Sequence, residues 1–401
     1  VSRPRIAFVV QRAGDDVNGG AEYLCLAVAR AMSSIWDVDI ITTCALDYVT
    51  WADHYPPGTQ QIDGVTVHRF RVDRPRESRR HDALSRRLLE RGASATAAEQ
   101  EAWMKSQGPY SSALLRYIRE NAATYERFFF YTYLYATTYF GLPLVADKAV
   151  LVPFAHDEWP IHLPFCDAFF EKPVAFVFST PEERAFLQRR FPRAKLEGPT
   201  IGIGVKAPAD VRPDRFRHRI GLDKPYLLYV GRIDPSKGCL RLVETYARYK
   251  EHYAGDLMLV LVGRAVVPLP DVPGVVTVGF VDEETKFDAL AGAVALVQPS
   301  AMESLSIVLL EAWSAGRPVL VTAESDVLVG QSRRANGGLW YGDDTEFGVA
   351  VEMLRGPIGA QLGASGRAFV EQNYSWPHVV EQYEALRVQL KARETPASAS
   401  R

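Results

Sequence analysis

Cysteine is scarce in this chain: Cys25, Cys44, Cys166 and Cys239 are the only four in 401 residues, and no two form a C-x-x-C pair. A disulfide scaffold is thereby excluded. Each thiol sits in or beside an apolar stretch, so we expect four reduced cysteines and a cytoplasmic protein. No His/Cys cluster offers zinc spacing. Charge of one sign is also missing, since 46 Lys and Arg face 48 Asp and Glu for a net charge of −2. A dedicated nucleic-acid binder needs a basic excess over at least one face, and that class is excluded. Long hydrophobic runs are absent too. The longest apolar region, Phe128 to Val145, is broken by Thr132, Thr137, Thr138, Gly141 and Pro143 and is too short to span a bilayer. No charged-then-apolar signal segment opens the sequence.

What is present is an ordinary globular composition, 47% hydrophobic and 23% charged, in a chain long enough for two domains. Short β-rich runs at Ile6–Val10, Val38–Thr42, Val65–Phe70, Phe128–Tyr131 and Ala149–Pro153 alternate with helical stretches at Ala21–Met32 and Tyr110–Asn121. A second alternation begins at Tyr226, with strands expected at Leu227–Val230, Leu257–Val262, Val275–Val278, Ala295–Gln298 and Pro318–Thr322. Such alternation predicts two doubly wound α/β sheets. The Pro- and Gly-rich stretch from 192 to 225 separates them. We divide the chain into residues 1–198, 199–375 and 376–401, the last containing a helix from about Trp376 to Lys391 and a polar tail from Thr395 to Arg401 that we expect to fray.

Two stretches of the second half carry chemistry. In Pro299-Ser-Ala-Met-Glu-Ser-Leu-Ser-Ile-Val-Leu-Leu-Glu311, two carboxylates stand eight positions apart around the start of an oily helix. An ionised Glu311 without partners there costs on the order of several kcal/mol, so something must hydrogen-bond it. The turn from Ser300 to Ser306 offers backbone N–H groups at a helix N-terminus, which is an anion site. If helical, eight residues rise about 12 Å, the span from a ribose to a hexose across a pyrophosphate. Upstream, Tyr226-Leu-Leu-Tyr-Val-Gly-Arg-Ile-Asp-Pro-Ser-Lys-Gly238 is a strand, a glycine turn and a helix start. It delivers Arg232 and Lys237 to the ligand edge of a parallel sheet. Cations suit phosphates and acids suit sugar hydroxyls, so the set points to a diphosphate with hydroxylated groups at both ends.

The Gly231-Arg232…Lys237-Gly238 turn and the Glu303/Glu311 pair resemble the donor site of retaining family-4 glycosyltransferases of the GT-B architecture. Asn18-Gly-Gly-Ala-Glu22 after the first strand, Pro153-Phe-Ala-His-Asp-Glu158, Ser179-Thr-Pro-Glu-Glu183 and Gly337-Gly-Leu-Trp-Tyr-Gly342 are similar to other stretches of that family. The resemblance implies two Rossmann-like domains facing across a cleft, with the final helix returning to the first. It also implies transfer of a hexose-type sugar, with retention, from a nucleoside diphosphate sugar to a hydroxyl of a glycan, lipid-linked or small-molecule acceptor. Arg232 and Lys237 would hold the leaving diphosphate, Glu303 the hexose hydroxyls and Glu311 both ribose hydroxyls. Gly279-Phe280-Val281 would contact the base. Many relatives carry Gly-Phe-Gly where this chain has Ser304-Leu305-Ser306, whose serines supply backbone and hydroxyl hydrogens. His156 would face the reacting sugar, with Asp157, Glu158 and Trp159 near the acceptor entrance.

Each assignment has a plainer counterpart. Arg232 and Lys237 are also compatible with surface charges, Glu303 with a helix cap, and Glu311 with an internal ion pair to Arg317 or Lys237. Gly19 and Gly20 permit close approach of backbone N–H groups to a phosphate or acceptor, or form only a turn. His156 is otherwise a packed loop residue. Asp37-Val-Asp39 matches a metal-binding D-x-D superficially, but alternation puts it on the entering part of a strand, away from the ligand edge. With Arg232, Lys237 and a helix end to meet the diphosphate charge, no metal or other cofactor is expected. Between Arg69 and Arg91 nine arginines outnumber four acids. A solvated helix is one account of that run; a clamp for an anionic acceptor or peripheral contact with an acidic membrane face is the other. Rival activities are a sugar-nucleotide epimerase on the same fold and a non-catalytic nucleotide-sugar-binding scaffold.

Overall fold

A computed structural model describes residues 3–17 and 19–394; Asn18 of the Gly-Gly turn and the tail from Thr395 lie outside them. The chain divides into two compact units, Val1–Ile203 with Val379–Arg401, and Gly204–His378. The two ends of the second unit adjoin. Val205 N–H donates to the Tyr374 carbonyl at 2.8 Å, and a Cβ on Gly204 would lie 2.3 Å from the Trp376 ring. Only glycine fits there.

The first unit is built on β1 (Arg5–Val9), β2 (Asp37–Thr43), β3 (Gly58–Ile62), β4 (Val65–Phe70), β5 (Arg127–Tyr131), β6 (Ala149–Val152) and β7 (Ala175–Phe176), in the order β3-β4-β2-β1-β5-β6-β7. All neighbours are parallel except β3, which pairs antiparallel with β4. The second contains β8 (Tyr226–Val230), β9 (Met258–Val262), β10 (Val275–Gly279), β11 (Ala295–Gln298), β12 (Val319–Thr322) and β13 (Gly338–Tyr341), ordered β10-β9-β8-β11-β12-β13 and parallel throughout. In each sheet the strand order reverses beside the first parallel strand, between β1 and β5 and between β8 and β11. Open α/β sheets bind ligands outside the carboxyl ends of strands at such a reversal.

Strands buried on both faces are continuous apolar runs, as residues 128–131 of β5 and Tyr226–Val230 are. β3, Gly-Thr-Gln-Gln-Ile, has no such signal and is a strand because β4 offers it an edge. The interrupted apolar region after β5 folds into a short helix at Ala136–Gly141 and a 3₁₀ segment at Leu142–Lys148 that fill the first core. Among the described residues no helix is long and apolar enough to cross a membrane.

The last helix, Trp376–Glu394, buries Val379, Tyr383, Leu386 and Leu390. Tyr383 packs 5.6 Å from Phe129, the Trp36 indole donates to Glu384 at 2.6 Å, and Arg387 reaches Glu126 at 2.6 Å. These contacts hold the returning segment to the sheet of the first unit.

Candidate functional site

In the second unit the turn after β8 is held open by glycine and closed by one acid. Gly231 has φ +151 and Gly238 φ +74, both in the region that favours glycine. Asp234 caps the short 3₁₀ turn Pro235–Lys237: its carboxylate accepts from the Lys237 N–H at 3.2 Å and from the Ser236 hydroxyl, and it pairs with Arg232. Burial pushes the Asp234 pKa up, but the Ser236 hydrogen bond and Arg232 outweigh it and hold the carboxyl below its usual range. Our sequence reading missed Asp234 as the organiser of this turn; a capping acid just before Pro-Ser-Lys was the available signal.

Gly238 brings that turn onto the one after β11, because a Cβ on it would lie 2.5 Å from the Pro299 carbonyl oxygen. The approach lets Lys237 Nζ bond Glu303 Oε1 at 2.8 Å. Glu303 is therefore not a helix cap. Ser306 holds the N-cap position of the Ile307–Ser314 helix, and its N–H is already taken by the Gln331 side-chain oxygen at 3.1 Å. Because the helix begins at Ile307, the interval from Glu303 to Glu311 is half irregular turn, and the continuous helical rise inferred from the spacing does not apply. Ser304 and Leu305 lie in that turn, Leu305 buried beneath it.

Glu311 is 5% exposed and has found a partner that the sequence did not disclose: Lys286 Nζ lies 2.7 Å from its Oε1. Neither Arg317 nor Lys237 fills that role. Burial raises the Glu311 pKa and Lys286 partly draws it back. For Lys286, the lowering by burial is outweighed by Glu311 and Glu283, the latter 2.9 Å away, so its pKa is raised. Lys286 stands on the Glu283–Gly292 helix, whose N-cap Asp282 follows Gly279-Phe280-Val281 directly. Gly279 ends β10 at φ +83, Phe280 is 67% exposed and Val281 is buried. One connection thus carries both the exposed Phe280 ring and the cation that holds Glu311.

The remaining expected residues lie in the first unit. Gly19 is extended, and a Cβ on it would fall 2.1 Å from Glu22 Oε2; Gly20 opens the Gly20–Met32 helix with free space beside it. The room above Gly19 is occupied by the protein's own Glu22, buried in an ion pair with Arg12 at 2.5 Å. After β6, His156 Nε2 lies 3.8 Å from Glu158 Oε2, while its Nδ1 is buried without a partner among the described residues. Glu158 also accepts from the Tyr133 hydroxyl at 2.8 Å, Asp157 pairs with His162 at 2.6 Å on the surface, and Trp159 packs edge-on against Trp103. A residue given no role in the sequence reading fixes this segment: the buried Glu183 carboxylate accepts the N–H groups of Ala155 and Ser179, each at 2.6 Å. Burial pushes its pKa up to about 7.

The arginine run is not uniform. Arg69 is buried on β4, and Arg76 lies over Trp51 and bonds Gln107. Arg87 and Arg91 pair with Glu99 at 2.7 and 3.1 Å, and Arg71 reaches Asp53 at 3.5 Å. Arg74, Arg79, Arg80 and Arg86 are exposed, the last three on the Ser78–Arg91 helix with the exposed Leu89. Asp39 of the D-x-D is a buried acceptor for Arg5 at 2.7 Å and for the Tyr125 hydroxyl at 2.6 Å.

Residues 224–354 match the family described as Glycosyl transferases group 1. The chain is 27% identical over 180 residues to an uncharacterised glycosyltransferase of Methanocaldococcus jannaschii, covering 42% of this chain and 46% of that protein. It is 26% identical over 183 residues to the trehalose synthase of Rubrobacter xylanophilus, covering 40% of this chain and 42% of that one. The match thus spans about half the length of these relatives. Among solved structures it resembles sucrose-phosphate synthase from Thermosynechococcus elongatus, with a TM-score of 0.73 at 20% identity over 98% of this chain and 100% of that one. It also resembles Anabaena HepE in complex with UDP-glucose, with a TM-score of 0.65 at 16% identity over 96% and 99%. At these identities the likeness establishes the fold, which is GT-B.

Proposed function

We propose that the protein is a retaining, metal-independent glycosyltransferase of the family-4 type, moving a hexose-type sugar from a nucleoside diphosphate sugar to a hydroxyl acceptor. The observation that carries this reading is the meeting of two turns at the strand-order reversal of the second unit, where Arg232, Lys237 and Glu303 stand together. The matched family covers residues 224–354, within this unit, and the Anabaena neighbour was solved with UDP-glucose.

In this reading Arg232 and Lys237 neutralise the diphosphate as the glycosidic C–O bond breaks. Glu303 takes hexose hydroxyls and Glu311 the ribose diol, while Gly231, Gly279, Phe280 and Val281 line the nucleotide and Ser304, Leu305 and Ser306 the sugar. The first unit's residues are assigned by role alone: Gly19 and Gly20 to donor phosphate or acceptor, His156 to the reacting sugar, and Asp157, Glu158 and Trp159 to the acceptor. The acceptor oxygen bonds to the anomeric carbon on the face the diphosphate leaves, and the leaving phosphate oxygen takes the acceptor proton. Retention follows without an enzymic nucleophile. The acceptor is a glycan, a lipid-linked chain or a small molecule. The setting is cytoplasmic, with Arg74, Arg79, Arg80 and Arg86 beside Leu89 suited to an acidic membrane face.

A thermal-shift screen of sugar nucleotides on wild type and Glu311→Ala tests the donor site: one nucleotide should stabilise the wild type selectively, and the shift should vanish in the variant. With that donor and an acceptor library, nucleoside diphosphate release and product anomeric configuration test the transfer. Conversion of the nucleotide sugar without acceptor would instead identify an epimerase, and tight binding without diphosphate release a scaffold.

A further inference from the structure

Arg69 is an arginine of the basic run that the fold takes inside, at 3% exposure. It is the register partner of Thr42 across β4 and β2, so both side chains leave one face of the sheet from strands about 4.8 Å apart, near the carboxyl ends of both. Its guanidinium lies 4.4 Å from the centroid of the Tyr55 ring. A Cβ on Gly14, in the loop after β1, would lie 2.7 Å from the Tyr55 hydroxyl, so that ring is tucked between the loop and the arginine. Among the described residues, Nε and Nη1 of Arg69 are buried without hydrogen-bond partners, and so are the hydroxyls of Thr42 and Tyr55.

The other buried arginines of this unit each meet a carboxylate, Arg12 that of Glu22 and Arg127 that of Glu394, although Arg127 Nε is itself buried without a partner among the described residues. Among the described residues Arg69 has no such acid. Burial lowers its pKa, opposed only by Tyr55 and Cys44. A buried cation with bare donors is among the costliest arrangements a fold can hold, and an anion seated on it removes that cost. A guanidinium and two hydroxyls supply donors for more than two oxygens, which matches a phosphate better than a carboxylate. Their place at the carboxyl edge of the sheet is where such a unit takes ligands.

We propose that Arg69, Thr42 and Tyr55 form a phosphate subsite in the first unit, which seats a phosphorylated acceptor. The inference rests on the transferase reading for the word acceptor; phosphate capture is a property of the unit itself.

Inorganic phosphate is titrated calorimetrically into wild type, Arg69→Met, Thr42→Val, Arg232→Ala and, as an exposed control, Arg116→Met. Arg69→Met should weaken phosphate binding by about tenfold or more and Thr42→Val by less, while the exposed Arg116→Met binds as wild type does. Nucleotide-induced stabilisation should be intact in Arg69→Met and lost in Arg232→Ala. Glycerol phosphate in solution and phosphatidic acid in vesicles then distinguish a soluble acceptor from a lipid-linked one, and whichever binds should lose affinity in Arg69→Met. Phosphate binding that is absent in the millimolar range, unchanged in Arg69→Met, or matched by acetate overturns the subsite. Should Arg69→Met not fold, Thr42→Val decides, and unaltered phosphate affinity there overturns it equally. If no nucleotide binds yet phosphate still depends on Arg69, the transferase reading falls and the subsite stands.

Discussion

Lys286 Nζ and Glu311 Oε1 lie 2.7 Å apart, and 25 residues of chain separate them. The pair settles how an acid survives inside an oily helix. It also predicts what each partner is for. Lys286→Met leaves Glu311 buried without its cation and should destabilise the protein by about 3–5 kcal/mol in urea unfolding. Adding Glu311→Leu should restore much of that loss, because no uncompensated charge remains. The double variant should nevertheless give no thermal shift with the sugar nucleotide that stabilises wild type. A full shift in it would remove Glu311 from the donor site.

Arg232 and Lys237 should differ in effect, although both are assigned to the diphosphate. Arg232 pairs with Asp234 within its own turn, whereas Lys237 crosses to Glu303 on the other. Arg232→Ala leaves Asp234 with the Ser236 hydroxyl and the Lys237 N–H, so the turn should persist. Lys237→Ala also frees Glu303. Each should lower kcat by about 10²–10³ through lost stabilisation of the leaving group. Lys237→Ala should in addition raise KM for the donor, since an unneutralised Glu303 then stands beside the phosphates. Equal KM values in the two variants would contradict this placement.

Much of the second sheet was legible because strands buried on both faces are continuous apolar runs. Arg232, Lys237 and Glu303 follow the carboxyl ends of β8 and β11, as the glycine turn and the spacing required. The sequence could not disclose pairings made by topology. Lys286 meets Glu311 because its helix runs from the end of β10, and Gln331 takes the Ser306 N–H from a third helix. β3 gives no apolar alternation and exists through its neighbour's edge. The turn expected from Ser300 to Ser306 is there, with Ser306 as the N-cap, so the rise conditional on a helix from Glu303 to Glu311 does not apply.

Glu183 makes the first unit's stability depend on pH. Its folded pKa, about 7, stands above the ordinary 4.5, so below 4.5 both folded and unfolded forms are protonated. As pH rises from 4.5 to 7 the unfolded chain gives up the proton first, and stability falls across that window. The fall from this group is about 3 kcal/mol. Glu183→Gln cannot titrate, so this component should be missing when its unfolding is compared at pH 5 and pH 8. The amide also replaces one acceptor by a donor facing Ala155 or Ser179, which should lower stability at pH 5. A wild type whose pH dependence equals that of the variant would show the carboxyl to be ordinary.

Gly238→Ala tests whether the two turns must touch. The added methyl would lie 2.5 Å from the Pro299 carbonyl oxygen, a backbone atom, and the residue would be held at φ +74. Relief requires the β8 turn to move away from the β11 turn, which stretches the 2.8 Å bond between Lys237 and Glu303. Backbone strain of this kind costs about 1–3 kcal/mol. Donor affinity should fall further than this loss of stability would produce alone, because two rows of ligand groups shift relative to each other. Gly221→Ala is the control: its φ of +62 is equally left-handed, but nothing lies within 4 Å of the added methyl. It should cost stability and leave the nucleotide-induced shift unchanged. If both variants bind the donor as wild type does, the contact between the turns is not what assembles the site.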